Sequence, residues 1–143
     1  PYDRAVSYYE YLRAGGNRAD DLVLSELINR RYSNFESFVL DYLCKDIVHE
    51  VTLLKPQYLF VCDDNYNFMV DFIGKYENLS NDFSYISKKI GISIQLPQMN
   101  KTERKKVEKY YSNKDVVNKI YDLYGLDFDL FEYSRDVSPG TEA

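Results

Sequence analysis

The sequence predicts a mostly α-helical chain with one or two short strands. Three observations predict it. Apolar residues recur at helical spacing through most of the 143 residues. Glycines at 15–16, 91 and 125 close those runs. A single stretch, Phe68 to Tyr76, turns instead to β-branched and aromatic residues.

Each element has its own local reason. Pro1 suits the start of a helix, where a missing N–H costs nothing, and Ala5, Tyr8, Tyr9 and Leu12 give its stripe up to Gly15-Gly16. A second helix is expected near Asp21 to Asn29. A third starts at about Asn34, with Phe35, Phe38, Val39, Tyr42 and Leu43 on one side. Tyr58 to Cys62 is a short apolar run, and Asp63-Asp64-Asn65 reads as a turn. Phe68 to Tyr76 is the expected strand. Standing alone it would leave backbone unpaired on both sides, which implies neighbours from elsewhere. Ser80, with Asn81 and Asp82, reads as the start of a helix carrying Phe83, Ile86 and Ile90, stopped by Gly91. Leu96-Pro97 to Asn100 reads as a loop, and Thr102 as the cap of a helix bearing Val107, Tyr110 and Tyr111. Asn113 caps a helix with Val116, Val117, Ile120, Tyr121 and Tyr124, closed by Gly125; Asp127 caps a last turn through Phe131. Residues 136–143 read as a flexible tail.

Composition narrows the function classes. The chain is 45% hydrophobic and 16% aromatic, with no Trp, which is the content of a packed core and not of a disordered segment. The net charge of -5 argues against a nucleic-acid partner, which needs a basic face. Cys44 and Cys62 lie outside any C-x-x-C pair, and the single His49 cannot complete a metal site with them, so no metal is expected. The two thiols read as half-buried, and His49 as a partly buried structural residue. No apolar run approaches the roughly 18 residues that span a bilayer. Asn78-Leu-Ser80 and Asn100-Lys-Thr102 match the N-glycosylation triplet, which leaves a secretory origin open.

Three segments carry candidate chemistry. In Pro1 to Tyr11, Ser7 and Arg4 stand near a helix start, where a hydroxyl and a guanidinium fork can meet an anion. The plain alternative is an amphipathic helix with a solvated serine. In Asp71 to Asp82, Tyr76 at a strand end can stack on a planar ring; the plain alternative is a core tyrosine. In Asn100 to Lys106, Lys101 and Arg104 lie in a run of cations that can close over a phosphate, beside Thr102; the plain alternative is a solvated charged face. Asp63-Asp64 reads as turn chemistry, not a metal pair. No G-x-S-x-G, glycine-rich phosphate loop or H-E-x-x-H occurs.

Taken together and in order, these segments resemble the sulfotransferase superfamily. The first is similar to its 3′-phosphate motif, R-[DN]-P-x-x-R-x-x-S-x-Y. It is closest to the form in the heparan sulfate 2-O-sulfotransferase-like branch, which runs on as Ser7-Tyr8-Tyr9 and Leu12-Arg13 do here. The second resembles the Y-E-x-L segment with a following acid, here Tyr76-Glu77-Asn78-Leu79 and Asp82. The third takes the place of the basic loop over the nucleotide, without the R-K-G of cytosolic relatives. The Leu96-Pro97…Asn100 loop and Asp127-Phe128…Phe131…Tyr133 also resemble the carbohydrate-acting branch and its bacterial relatives. The resemblance covers residues 1–135.

The resemblance implies an α/β P-loop-like sulfotransferase fold in the intact protein, with residues 1–135 as the C-terminal part of one domain. It implies that 3′-phosphoadenosine 5′-phosphosulfate (PAPS) is the co-substrate, that its product is 3′-phosphoadenosine 5′-phosphate (PAP), and that the acceptor is a carbohydrate hydroxyl. Ser7 would hold the 3′-phosphate, Arg4 would support it, Tyr76 would meet the adenine, and Lys101, Thr102 and Arg104 would approximate the covering loop. The motif's first arginine would fall two places before Pro1. The phosphosulfate loop and the catalytic base would also precede this segment, so no catalytic residue is assigned and the segment alone is expected to be silent. The compartment stays open: cytoplasm for bacterial relatives, Golgi lumen for eukaryotic ones. The competing class is a non-catalytic helical binding module.

Overall fold

In the computed structural model, which describes residues 1–17, 19–92, 94, 96 and 106–137, helices follow the apolar stripes. The described residues form seven α-helices: α1 (Tyr2–Arg13), α2 (Ala19–Arg31), α3 (Phe35–Ser37), α4 (Lys45–Glu50), α5 (Tyr58–Val61), α6 (Leu79–Lys89) and α7 (Lys114–Leu130). They fall into two units. One comprises residues 1–60 and 105–143, the other residues 61–104.

The first unit is built on α1. Pro1 stands at its N-cap position, Asp3 lies in its first turn and Arg13 in its last, which suits the helix dipole. Tyr2, Ala5, Val6, Tyr8, Tyr9 and Leu12 are buried. They pack with Ile28 of α2, Phe35, Phe38 and Val39 of the third segment, and Val116, Ile120, Tyr124 and Phe128 of α7. The core is strongly aromatic: Phe35 meets Tyr9, Tyr110 and Tyr111 edge-on at 5.2–5.4 Å. Gly16 turns the chain from α1 to α2 at φ +64. There Asp21 accepts from Tyr11 Oη at 2.5 Å.

Several elements differ from the sequence expectation. Asn34 does cap the third segment, taking the Ser37 N–H, but after one turn the backbone widens to a π-helix over Phe38–Tyr42. The widening lets Phe38 and Val39 both bury while Leu43 leaves in extended backbone. Asn113 caps α7 as expected, yet Gly125 does not close it. The helix kinks at Tyr124 (φ -124, ψ 21), beside the glycine, and runs on to Leu130. Asp127 is therefore inside the helix and not at a cap. Cys44 is exposed and Cys62 buried, not both half-buried, and His49 is exposed at the end of α4.

The second unit corrects the strand. Of the expected Phe68–Tyr76 strand, Phe68 to Lys75 is neither strand nor helix. One antiparallel bridge, Cys62 with Phe68, closes the Asp63–Asn67 turn, and pairing stops at the bond from Met69 N–H to the Val61 carbonyl, 2.8 Å. Strand preference is at root a preference for packing on a half-buried pleated surface. Phe68, Met69, Val70 and Phe72 are 39–64% exposed, so no such surface forms. Tyr76–Asn78 is instead a 3₁₀ turn leading into α6. That helix begins at Leu79 and not at Ser80, with Asn78 at its cap position, and Gly91 ends it at φ +74. Ile86 and Ile90 of its expected stripe are exposed. The expected Leu96–Asn100 loop and the Thr102 cap lie outside the described residues, Leu96 excepted. Among the described residues no helix is long and apolar enough to cross a membrane.

Two glycines with similar backbone should respond differently to alanine. At Gly16 a Cβ would sit 2.3 Å from the Asp21 Cβ, whereas at Gly91 nothing lies within 4 Å. Gly16→Ala should cost about 2–4 kcal/mol, from left-handed strain plus overlap, and Gly91→Ala about 1 kcal/mol. Urea unfolding of the two variants checks the order.

Burial pushes the phenols of Tyr8, Tyr111 and Tyr124 above their ordinary value of 10.0. The unfolded chain therefore releases these protons first. Their stabilising contribution is complete below pH 10 and is lost as pH rises through the folded-state values. Melting temperature should fall steadily above pH 10, with the last part of the tyrosinate absorbance appearing together with unfolding. Full tyrosinate titration in a chain that stays folded would contradict this.

Candidate functional site

The buried stripe of α1 leaves Asp3, Arg4, Ser7, Glu10 and Tyr11 together on its other side, at three- and four-residue spacing. Ser7 is exposed there. Ala5 N–H already bonds the Pro1 carbonyl at 3.2 Å, so the N–H groups not used inside the helix are those of Tyr2, Asp3 and Arg4. Ser7 lies roughly 4.5 Å further along the axis than Arg4, at about 1.5 Å per residue. What Ser7 offers an anion is its hydroxyl, with the Arg4 side chain one turn below.

Arg4 is half-buried, and its Nη1 donates to the Lys55 carbonyl. That carbonyl belongs to a short span held from two helices. Tyr124 Oη donates to the Leu54 carbonyl at 2.7 Å. The Asp127 carboxylate accepts from Gln57 N–H at 2.7 Å and from Tyr58 N–H at 2.9 Å. Asp127 is only 1% exposed, yet both its oxygens are satisfied. Pro56 has no N–H to offer, so the acceptors and donors of residues 54–58 are met almost one by one. Tyr124 feels both charges. Burial raises its pKa most, Arg4 lowers it and Asp127 raises it further.

The sequence reading assigned Arg4 and Ser7 but missed this clamp. One signal was available. Val116, Ile120 and Tyr124 continue at helical spacing to Asp127 and Phe128, so an acid falls on the apolar stripe of α7. A carboxylate in that position must find donors inside.

In the second unit Tyr76 is 76% exposed at the start of the 3₁₀ turn, so it is no core tyrosine. The acid that follows it is structural. Asp82 accepts from Lys75 N–H at 2.8 Å and from Asn78 Nδ2 at 2.7 Å, folding the turn onto α6. Asp63 likewise uses its carboxylate on its own turn, taking N–H groups of Asn65 and Asn67 and the Asn67 amide. Lys101, Thr102 and Arg104 lie outside the described residues. Among those described, no group of three or more His, Cys, Asp or Glu can hold a metal ion. A surface groove of about 540 Å³ is lined by Val23, Glu26, Leu27, Arg30 and Arg31 of α2. None of the sequence-assigned residues is among these.

The model of the sulfotransferase family matches residues 1–134. The chain belongs to that family, and it is a transferase by that resemblance. No curated protein and no solved structure matches it.

Removing the clamp's acceptors should show directly in stability. Asp127→Ala strands two backbone donors at the edge of the core and should cost about 3 kcal/mol, and Tyr124→Phe about 1 kcal/mol. Chemical unfolding of both variants checks it; equal small losses would mean that Gln57 and Tyr58 turn to water instead.

Proposed function

We propose that this protein transfers a sulfuryl group from PAPS to a hydroxyl of a carbohydrate, and that Ser7 holds the 3′-phosphate of the nucleotide. The observation that carries the reading is the exposed Ser7 one helical turn from Arg4, whose guanidinium bonds the Lys55 carbonyl, inside a segment that resembles the family's 3′-phosphate motif. The two side chains suit a phosphate chemically: one hydroxyl donor and one delocalised cation with several N–H groups. An exposed Tyr76 offers an aromatic face and a hydroxyl to adenine. Lys101, Thr102 and Arg104 would supply the covering loop.

The reaction is an in-line displacement. The acceptor oxygen gives its proton to a base and bonds to sulfur. The bond from sulfur to the bridging oxygen of the 5′-phosphate breaks, and PAP leaves with the electron pair. Cations near that bridging oxygen stabilise its growing charge. The residues named here bind and position the nucleotide, and none is assigned to the chemical step. Acceptance of a carbohydrate, in the manner of the heparan sulfate 2-O-sulfotransferase-like branch, rests on the motif resemblance.

A hydrogen bond to a charged group contributes roughly 1.5–3 kcal/mol, or about ten- to a hundredfold in affinity. Ser7→Ala in the intact protein should weaken PAP binding by that factor and barely change binding of adenosine 5′-phosphate, which lacks the 3′-phosphate. Calorimetric titration with both nucleotides reads the difference. Equal loss for both, or loss for neither, removes Ser7 from the site.

A further inference from the structure

We propose that Asp127 is a positioning residue for the 3′-phosphate subsite: it fixes the backbone at Gln57 and Tyr58, which sets the Lys55 carbonyl, and that carbonyl aims the Arg4 guanidinium beside Ser7. The proposal deepens the assignment of Ser7 and Arg4 above and rests on it.

The argument starts from the acceptor that Arg4 uses. It is a neutral carbonyl and not a carboxylate. A carboxylate partner would orient the fork and cancel its charge together. A carbonyl orients the fork and leaves the full positive charge for an anion. Such a carbonyl is useful only if it stays still, and Lys55 lies just after a turn and before Pro56, where no helix or sheet fixes it. The fixing comes from α7. Tyr124 binds the residue before Lys55, and Asp127 binds the two residues after Pro56. Three side chains thus converge on five consecutive residues, 54–58, and two of the three come from the far side of the kink or from the kink itself.

The charge of Asp127 also has a specific outlet. A buried carboxylate is a costly way to hold a fold together, since apolar packing of similar volume often serves as well. Here its two oxygens take two backbone donors, so its charge is spent on the loop and not on Arg4. An Asp that merely stabilised the unit would need no relation to Arg4. This one is joined to Arg4 through the same short span: the Lys55 carbonyl that Arg4 uses lies two residues before the Gln57 N–H that Asp127 holds.

The test is the ratio of affinities for PAP and adenosine 5′-phosphate in the intact protein. Asp127→Asn, which puts a donor where an acceptor stood, should lower the ratio about tenfold, and Tyr124→Phe roughly threefold. Neither should lower it further in an Arg4→Ala background, because the route through Arg4 is then already cut. If Asp127→Asn does not fold, Tyr124→Phe, which deletes one hydroxyl, carries the same comparison. An unchanged ratio in folded Asp127→Asn or Tyr124→Phe, where Ser7→Ala and Arg4→Ala do lower it, overturns the positioning role and leaves the nucleotide site standing. An unchanged ratio in Ser7→Ala and Arg4→Ala overturns the site, and the positioning role with it.

Discussion

The first unit depends on one buried carboxylate. Asp127 brings a carboxyl group into an aromatic core, where its oxygens need donors. It takes the N–H groups of Gln57 and Tyr58, some 70 residues away in sequence. That pairing ties α7 to the chain between α4 and α5. The same span receives Tyr124 and Arg4, so α1 and α7 are both referenced to it. Tyr124 and Asp127 stand three residues apart in α7, so helical spacing itself turns the phenol and the carboxylate toward this one span.

Tyrosines do the rest of the fastening. Tyr2 Oη donates to the Arg135 carbonyl at 2.8 Å, Tyr111 Oη to the Tyr2 carbonyl at 2.8 Å, and Tyr110 Oη to Glu10 at 2.8 Å. Each ring fills core volume while its hydroxyl ties down a backbone or side chain at the core's edge. This is why the chain can hold irregular connections between short helices. A phenylalanine in any of these places would pack as well and leave an acceptor unmet.

Legibility followed the length of the pattern. α1 and the start of α7 were readable because a long apolar stripe coincided with a real end signal, Pro1 for one and Asn113 for the other. Phe68–Tyr76 was misread because its β-branched and aromatic residues describe what the segment could pack against, and among the described residues its strand pairing is one isolated bridge, Cys62 with Phe68. Gly125 was read as a stop, but a glycine ends a helix only where the chain needs left-handed backbone, and here the tertiary clamp needs the helix to continue. The placement of Ser7 and Arg4 one turn apart on α1 was legible from spacing. Their link to residues 54–58 was not, because it joins residues 51 positions apart through a main-chain carbonyl that carries no side-chain signature.

The surroundings of Ser7 explain why such positioning matters. Asp3 and Glu10 share its side of α1, four residues before and three after, within a chain of net charge -5. Exposed charges are screened within about 10 Å in ordinary salt. Glu10 is engaged by Tyr110, which ties its carboxylate down near the serine's own face. In the proposed subsite an anion would be held by short, directed bonds. A directed bond tolerates little error in placement, and a long arginine side chain is the group most prone to such error. The bond from Arg4 to the Lys55 carbonyl would remove that error before the anion arrives.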